Sequence, residues 1–268
     1  MTPQDLLDRY DSGALWADPL GADNTTDGID VPAAYQQALA VRALRIARGE
    51  VPRGYKIGFT NRNIWPRYNV FAPIWGAVFD TTLSFCEGVA VVSLGNSCQP
   101  RIEPECVFGI KSTPVPGATL EDLFQAIGWV APGFEIVQSH LPDWKFAAPD
   151  AVADGALHAR LVVGHKRPVR EIASGAEQLQ GVLARAQVSL WKNHQVVEQG
   201  RGANVLDSPL LALQHFLKEL RQCPGAFDLQ AGDVVTTGTW TDAWPVQPGD
   251  HWTGEFSAPL SRLSVAFR

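Results

Sequence analysis

The run Arg101-Ile102-Glu103-Pro104-Glu105-Cys106-Val107-Phe108 sets the tightest limit on how this chain folds. Apolar residues at 102 and 106–108 predict a strand entering a core. Side chains alternate along a strand, so Glu103 and Glu105 share one face while Ile102 and Cys106 point the other way. Two parallel carboxylates repel, and a partly buried pair stays ionised only with positive charge between them or water around them. A hard divalent cation such as Mg²⁺ or Mn²⁺ meets that need, because it takes oxygen ligands and leaves positions open for a substrate. A third acid stands in Phe134-Glu135-Ile136-Val137, where Glu135 alone interrupts an apolar run. The alternative for Glu103 and Glu105 is the solvated face of an edge strand.

The 268 residues suffice for one large domain, or a small segment and a main domain. A net charge of −6, with no run of Lys or Arg, argues against nucleic acid or an anionic membrane as a partner. No window approaches the roughly 20 apolar residues of a membrane span, and Met1-Thr2-Pro3-Gln4-Asp5 lacks the order of a signal peptide. A cytoplasmic location is the expectation. Cys86, Cys98, Cys106 and Cys223 show no C-x-x-C spacing and read as reduced core residues. The phosphate-loop, dinucleotide, H-E-x-x-H and G-x-S-x-G signatures are absent, and the six histidines have no ligand spacing and read as structural or exposed.

Residues 3–11 suit a short amphipathic helix, followed by a polar loop through Asp30. Asp30 then caps a helix with Pro32 in its first turn and Gly49 as its stop. Its core stripe is predicted as Tyr35, Leu39, Ala43 and Ile46, leaving Arg42, Arg45 and Arg48 off the stripe. In Gly54-Tyr55-Lys56-Ile57-Gly58-Phe59-Thr60, alternation puts Lys56 on a strand face with almost no side-chain bulk, where a ligand can approach. Lys56 is there a proton donor or carboxylate-binding ammonium, or else a surface lysine. Residues 61–75 hold Trp65, Tyr68, Phe71 and Trp75 and read as a covering loop or a dimer contact. Asp80 ends the strand from Gly76 and is either a site base or the cap of the next turn.

Thr119 with Asp122 forms a capping box. Asp150 and Asp154 lie four apart on one helical turn, Lys192-Asn193-His194-Gln195 marks a hairpin, and a helix starts after Ser208 with Leu210, Leu213, Leu217 and Leu220 inward. Turn-then-strand units near Asp233 and Asp250 complete a β-rich body. Glu135 joins the other two acids only if its strand neighbours theirs.

In this order the chain resembles the 2-keto-4-pentenoate hydratase / 4-oxalocrotonate decarboxylase family of the fumarylacetoacetate hydrolase superfamily. The resemblance rests on Gly54-Tyr55-Lys56-Ile57-Gly58, Pro73 with Gly76 to Asp80, Pro100-Arg101-Ile102-Glu103-Pro104-Glu105, Phe134-Glu135-Ile136-Val137, Asp143-Trp144-Lys145 and Val152-Ala153-Asp154. It extends through Gly200-Arg201-Gly202-Ala203 to Pro245-Val246-Gln247-Pro248-Gly249-Asp250. It implies an α+β fold: a mixed β-roll core with peripheral helices as a catalytic domain over 53–268, preceded by a helical segment over 1–52. It further implies Mg²⁺ or Mn²⁺ held by Glu103, Glu105 and Glu135, with Lys56 and Asp80 as acid–base groups, a 2-oxo acid substrate and a homo-oligomer built from dimers. The family usually has Asp and Arg where Gln138 and His140 stand, and Asn where Gly155 stands.

The resemblance implies a lyase that hydrates a 2-hydroxy-2,4-dienoate. The alternatives are a decarboxylase or tautomerase on the same scaffold, and a non-catalytic partner of an active homologue.

Overall fold

The computed structural model describes residues 1–16, 19–20 and 28–268. Helices α1 (Pro3–Ser12) and α2 (Val31–Ala47) lead into β1 (Pro52–Gly58), the short α3 (Trp65–Tyr68), β2 (Ile74–Phe79), β3 (Leu83–Phe85) and β4 (Val89–Val92). The acidic strand is β5 (Arg101–Ile110), followed by α4 (Leu120–Ala126), β6 (Ile127–Val137), α5 (Ala148–Ala153), β7 (His158–Val163), β8 (Arg167–Pro168) and α6 (Ala176–Arg185). The hairpin β9 (Gln187–Lys192) and β10 (Gln195–Arg201), α7 (Pro209–Gln222), β11 (Val234–Thr239), β12 (Trp244–Pro245), β13 (His251–Phe256) and β14 (Leu263–Phe267) complete the chain.

Caps set the ends of the helices as the residue types demand. Thr2 with Asp5 and Thr119 with Asp122 close capping boxes on α1 and α4, and Asp30 and Ser208 accept from the first turns of α2 and α7. Residues 17–18 and 21–27 of the loop expected before Asp30 lie outside the described residues.

The strands form two sheets. The larger runs β2-β1-β11-β5-β6-β7-β3, with β12 on β5 and β8 on β6; the smaller runs β10-β9-β13-β14-β4. Pairing is mixed, parallel at β1/β11, β3/β7 and β4/β14 and antiparallel elsewhere. One cluster, built on Ile102, Phe134, Ile136, Leu190, Trp252 and Val265, joins the two sheets. A second, around Phe108, Phe124, Leu213 and Phe216, seats the helices, and Leu6 and Tyr35 of α1 and α2 belong to it. No helix among the described residues is long and apolar enough to cross a membrane.

The predicted stripe of α2 fails over its second half. Ile46 is 40% exposed and Ala43 is exposed, while Arg45 is buried. Arg45 sits over the rings of Phe79 and Tyr10, and its guanidinium donates twice to Glu50, which the chain reversal after the helix brings back beneath it. A paired arginine with its stem on aromatic rings can take a place that periodicity assigns to an aliphatic residue.

Candidate active site

Strands β5 and β6 pair antiparallel with Glu103 opposite Glu135 and Glu105 opposite Gly133. The condition for the third acid is therefore met: its strand is the direct neighbour. One oxygen from each of Glu103, Glu105 and Glu135 lies within 4.8 Å of the others. Glu105 and Glu135 are fully buried. Glu105 is held by Gly238, whose amide donates to Oε2 at 2.7 Å, and by the Thr236 hydroxyl, which donates to the same oxygen. Among the described residues that leaves Glu105 Oε1 buried with no hydrogen-bond donor, while Glu135 Oε2 faces the Lys56 ammonium.

Lys56 faces this cluster from β1. Its ammonium is 3.2 Å from Glu135 Oε2 and donates to the Ala156 carbonyl at 2.8 Å. Burial opposes its charge, but Glu135, Glu103 and Glu105 outweigh that cost and hold its pKa above the ordinary lysine value. Burial pushes the Glu103 carboxyl up to about 7; Lys56 pulls it down and Glu135 adds to the rise. Glu105 is raised well above the usual carboxylate range, by burial first and then by Glu135 and Glu103. One lysine against three acids leaves an excess of negative charge in a low-dielectric place, with Glu105 Oε1 lacking a donor among the described residues. Such a set of hard oxygen donors fits a divalent ion of the Mg²⁺ or Mn²⁺ kind.

Lys56 and Glu103 open onto a cleft of about 370 Å³. The cleft carries a ladder of rings in which Phe59 stacks on Tyr68 at 4.7 Å, Tyr68 on Phe146 at 5.5 Å, and Trp144 tilts against Phe146 at 6.2 Å. Gln99, in the left-handed region, anchors this wall. Its amide donates to the Ser139 and Leu141 carbonyls, its carbonyl accepts from the Trp144 indole at 3.0 Å, and its side chain accepts from the Asp143 amide. Of the aromatic residues behind the covering-loop reading of 61–75, Tyr68 lines the cleft, beside Ile64 and Arg67, whereas Phe71 is 83% exposed. Trp75 is instead buried against Tyr35 and Tyr55.

Asp80 is not brought to the cluster, contrary to expectation. Lys56 is the register partner of Gly76, so Asp80 lies at the far end of that pairing, beyond Phe79 opposite Pro52. It is exposed, and its Oδ1 accepts from the amides of Val51 and Thr81 at 2.9 and 3.0 Å. These contacts are those of a turn cap. The three departures also lie outside the cleft lining. Gln138 accepts from the Cys98 amide, and His140 pairs with Asp154 at 2.6 Å beneath Trp16. Gly155 adopts φ +63°, where a side chain is strained, and its carbonyl would lie 2.1 Å from a Cβ on Gly76.

Sequence reasoning missed His158. It is 2% exposed, with Nδ1 2.8 Å from Glu135 Oε1 and Nε2 3.0 Å from Thr82 Oγ1. Burial holds its pKa below the ordinary value, although Glu135 works against that. The pairing of β6 with β7 brings it there, and no local spacing encodes that pairing.

Comparison with known proteins now bears on this cluster. The chain is 34% identical over 223 residues to 2-hydroxyhexa-2,4-dienoate hydratase of Comamonas testosteroni, covering 82% of this chain and 80% of the relative. The family follows from that likeness. This chain belongs to the 2-keto-4-pentenoate hydratase / 4-oxalocrotonate decarboxylase family. It is also 30% identical over 244 residues to a 4-oxalocrotonate decarboxylase of a Pseudomonas species, covering 91% of this chain and 90% of the relative. The solved 4-oxalocrotonate decarboxylase of Pseudomonas putida G7, complexed with magnesium and adipate, superposes with a TM-score of 0.82 at 29% identity over 99% of this chain and 97% of that one. Fumarylpyruvate hydrolase of Pseudomonas aeruginosa, solved with Mn²⁺ and pyruvate, shares the fold alone, with a TM-score of 0.60 at 17% identity over 81% of this chain and 89% of that one. No protein-family model matches the chain. The fold is thus the α+β fold of the fumarylacetoacetate hydrolase type, and the curated relatives it matches are hydratases and decarboxylases.

Proposed function

We propose that this chain adds water to a 2-hydroxy-2,4-dienoate (2-oxo-4-enoate), after protonation of the dienol at its far carbon to the conjugated ketone, to give a 4-hydroxy-2-oxo acid. The observation that carries the reading is the convergence of Glu103, Glu105 and Glu135 on one point, with the buried ammonium of Lys56 beside them. Glu103, Glu105 and Glu135 would hold a divalent ion, which would supply Lewis-acid chemistry toward a 2-oxo acid. Lys56 then holds and moves the proton. Its Nζ is oriented by the Ala156 carbonyl and kept charged by the acids, so it can protonate a carbon of the dienol that rests in the cleft. Thr60, Asn61 and Thr239 are among the neutral polar groups of the lining able to seat the added water. The aromatic ladder covers the remaining carbon chain and keeps bulk water from the dienol. Glu103, Glu105 and Glu135 as ligands and Lys56 as acid–base group are the roles we assign; Asp80 is left as the cap of its turn.

One observation favours a second reading, decarboxylation of an enoyl 2-oxo diacid. The cleft lining includes Arg67, a cation able to meet the second carboxylate of a diacid. ¹³C NMR of the products separates the two. A new carbinol carbon at C4 supports hydration, and bicarbonate release without that carbon overturns it in favour of decarboxylation. With this reading go a cytoplasmic location and a homo-oligomer built from dimers, the latter tested by light scattering on the purified chain.

A further inference from the structure

We infer that His158 is a positioning residue for metal binding: it occupies Oε1 of Glu135, so that Glu135 offers the ion Oε2 alone. The inference rests on the reading of Glu103, Glu105 and Glu135 as the metal ligands. The geometry has three parts. His158 Nδ1 is 2.8 Å from Glu135 Oε1, while the other oxygen, Oε2, is 3.2 Å from Lys56 Nζ. The imidazole cannot rotate freely, because Nε2 is 3.0 Å from Thr82 Oγ1 and the ring is buried. Thr82 in turn is fixed to the backbone of β2: its Oγ1 accepts from the Phe79 amide at 3.1 Å and lies 3.2 Å from the Phe79 carbonyl.

The brace therefore runs from the turn after β2, through one imidazole, to one oxygen of the central carboxylate. The role of the turn capped by Asp80 becomes clear in this light. Asp80 Oδ1 holds the amides of Val51 and Thr81, which sets the position of Thr82 beside it. A carboxylate with both oxygens free can rotate or chelate through both; one pinned at Oε1 presents a single, oriented ligand atom. Partners of this kind behind a ligand typically alter metal affinity by 10–100-fold.

The test is Mn²⁺ binding by the purified chain, with free Mn²⁺ read by electron paramagnetic resonance and without substrate. His158→Asn places an amide near the Nδ1 position, whereas His158→Gln reaches toward Thr82 and leaves Glu135 Oε1 without its partner. We expect His158→Asn to bind within about threefold of the unmodified chain, and His158→Gln and His158→Ala to bind at least tenfold more weakly. Circular dichroism and the thermal midpoint in metal-free buffer report whether each variant is folded. The Asn/Gln contrast decides the matter even if His158→Ala does not fold, since a merely structural histidine would not favour the Asn variant in metal affinity alone. Equal affinity of the Asn and Gln variants, with the unmodified chain binding Mn²⁺, overturns the role of His158 and leaves the ligand assignment standing. An unmodified chain that binds no Mn²⁺ overturns the ligand assignment and this inference with it.

Discussion

Glu103 and Glu135 are direct register partners on adjacent antiparallel strands, and Glu105 follows two positions along the same strand. Because strand side chains alternate, a slip of one residue between β5 and β6 would turn Glu135 to the opposite face and dissolve the cluster. The register is held by the apolar residues between the acids. Ile102 lies opposite Ile136 and Phe134 opposite Pro104, and Ile102, Phe134 and Ile136 are fully buried. The apolar core thus positions a charged site whose members would separate if left to themselves.

Removing the ammonium separates chemistry from metal binding. Lys56→Met keeps the volume of the side chain but not its proton, so kcat is expected to fall by about 10²-fold or more. Mn²⁺ affinity is expected to hold or rise, because the variant removes a cation that competes for Glu135 Oε2. Steady-state kinetics together with calorimetric Mn²⁺ titration check both halves, and near-normal kcat would make Lys56 structural.

Gly238 is a position where one methyl group should reach the metal site. Its φ of +98° and its amide bond to Glu105 are both needed, and a Cβ would lie 2.0 Å from Thr60 Oγ1. Gly238→Ala is expected to cost about 2 kcal/mol of stability and to weaken Mn²⁺ binding by displacing Glu105. Denaturant unfolding with and without Mn²⁺ reads both effects, and unchanged affinity would show that Glu105 keeps its place without this amide.

The Arg45–Glu50 pair predicts an acid-sensitive contribution to stability. Burial raises the Glu50 carboxyl, but hydrogen bonds from Arg45 and Thr81 and the charge of Arg45 outweigh it and hold the pKa below the ordinary value. A carboxyl lowered in the folded state stabilises above its unfolded pKa, and that stability is lost as pH falls through the folded value. Glu50→Gln is expected to cost about 3 kcal/mol at pH 7, with the gap to the unmodified chain closing below pH of about 4. Urea unfolding across that range measures it; a gap independent of pH would mean that the carboxylate charge is not what stabilises.

The ring ladder is expected to act on substrate binding rather than on the chemical step. Tyr68 stacks on both Phe59 and Phe146, so Tyr68→Ala interrupts the ladder at its middle. KM is expected to rise about tenfold with kcat changed far less, as when an interaction made equally in ground and transition states is lost. An equal fall in kcat with KM unchanged would place Tyr68 in the chemistry instead.

The parts of the site written in local alternation were legible in the sequence. Glu103, Glu105 and Lys56 follow from a period of two within a single strand, and Glu135 from an acid inside an apolar run. Strand reading left Asp80 open between site base and turn cap, because it gives the face of a residue but not how far along the neighbouring strand the site lies; the resemblance alone put Asp80 at the site. Arg45 was misplaced because helical periodicity cannot foresee that Glu50 turns back to pair with it. His158 was invisible for a third reason: its contact with Glu135 depends on β6 pairing with β7, a non-local choice made by the whole sheet. The stacked ladder shows the same limit, since Phe59, Tyr68 and Phe146 come from three separate stretches of chain.

The central claim is that Glu103, Glu105 and Glu135 hold one divalent ion. Anomalous diffraction from crystals soaked in millimolar Mn²⁺ tests it most directly. The account predicts one strong peak per chain among these three carboxylates, absent from crystals of Glu105→Gln under the same soak. No peak there, or a peak equally strong in Glu105→Gln crystals, would contradict it.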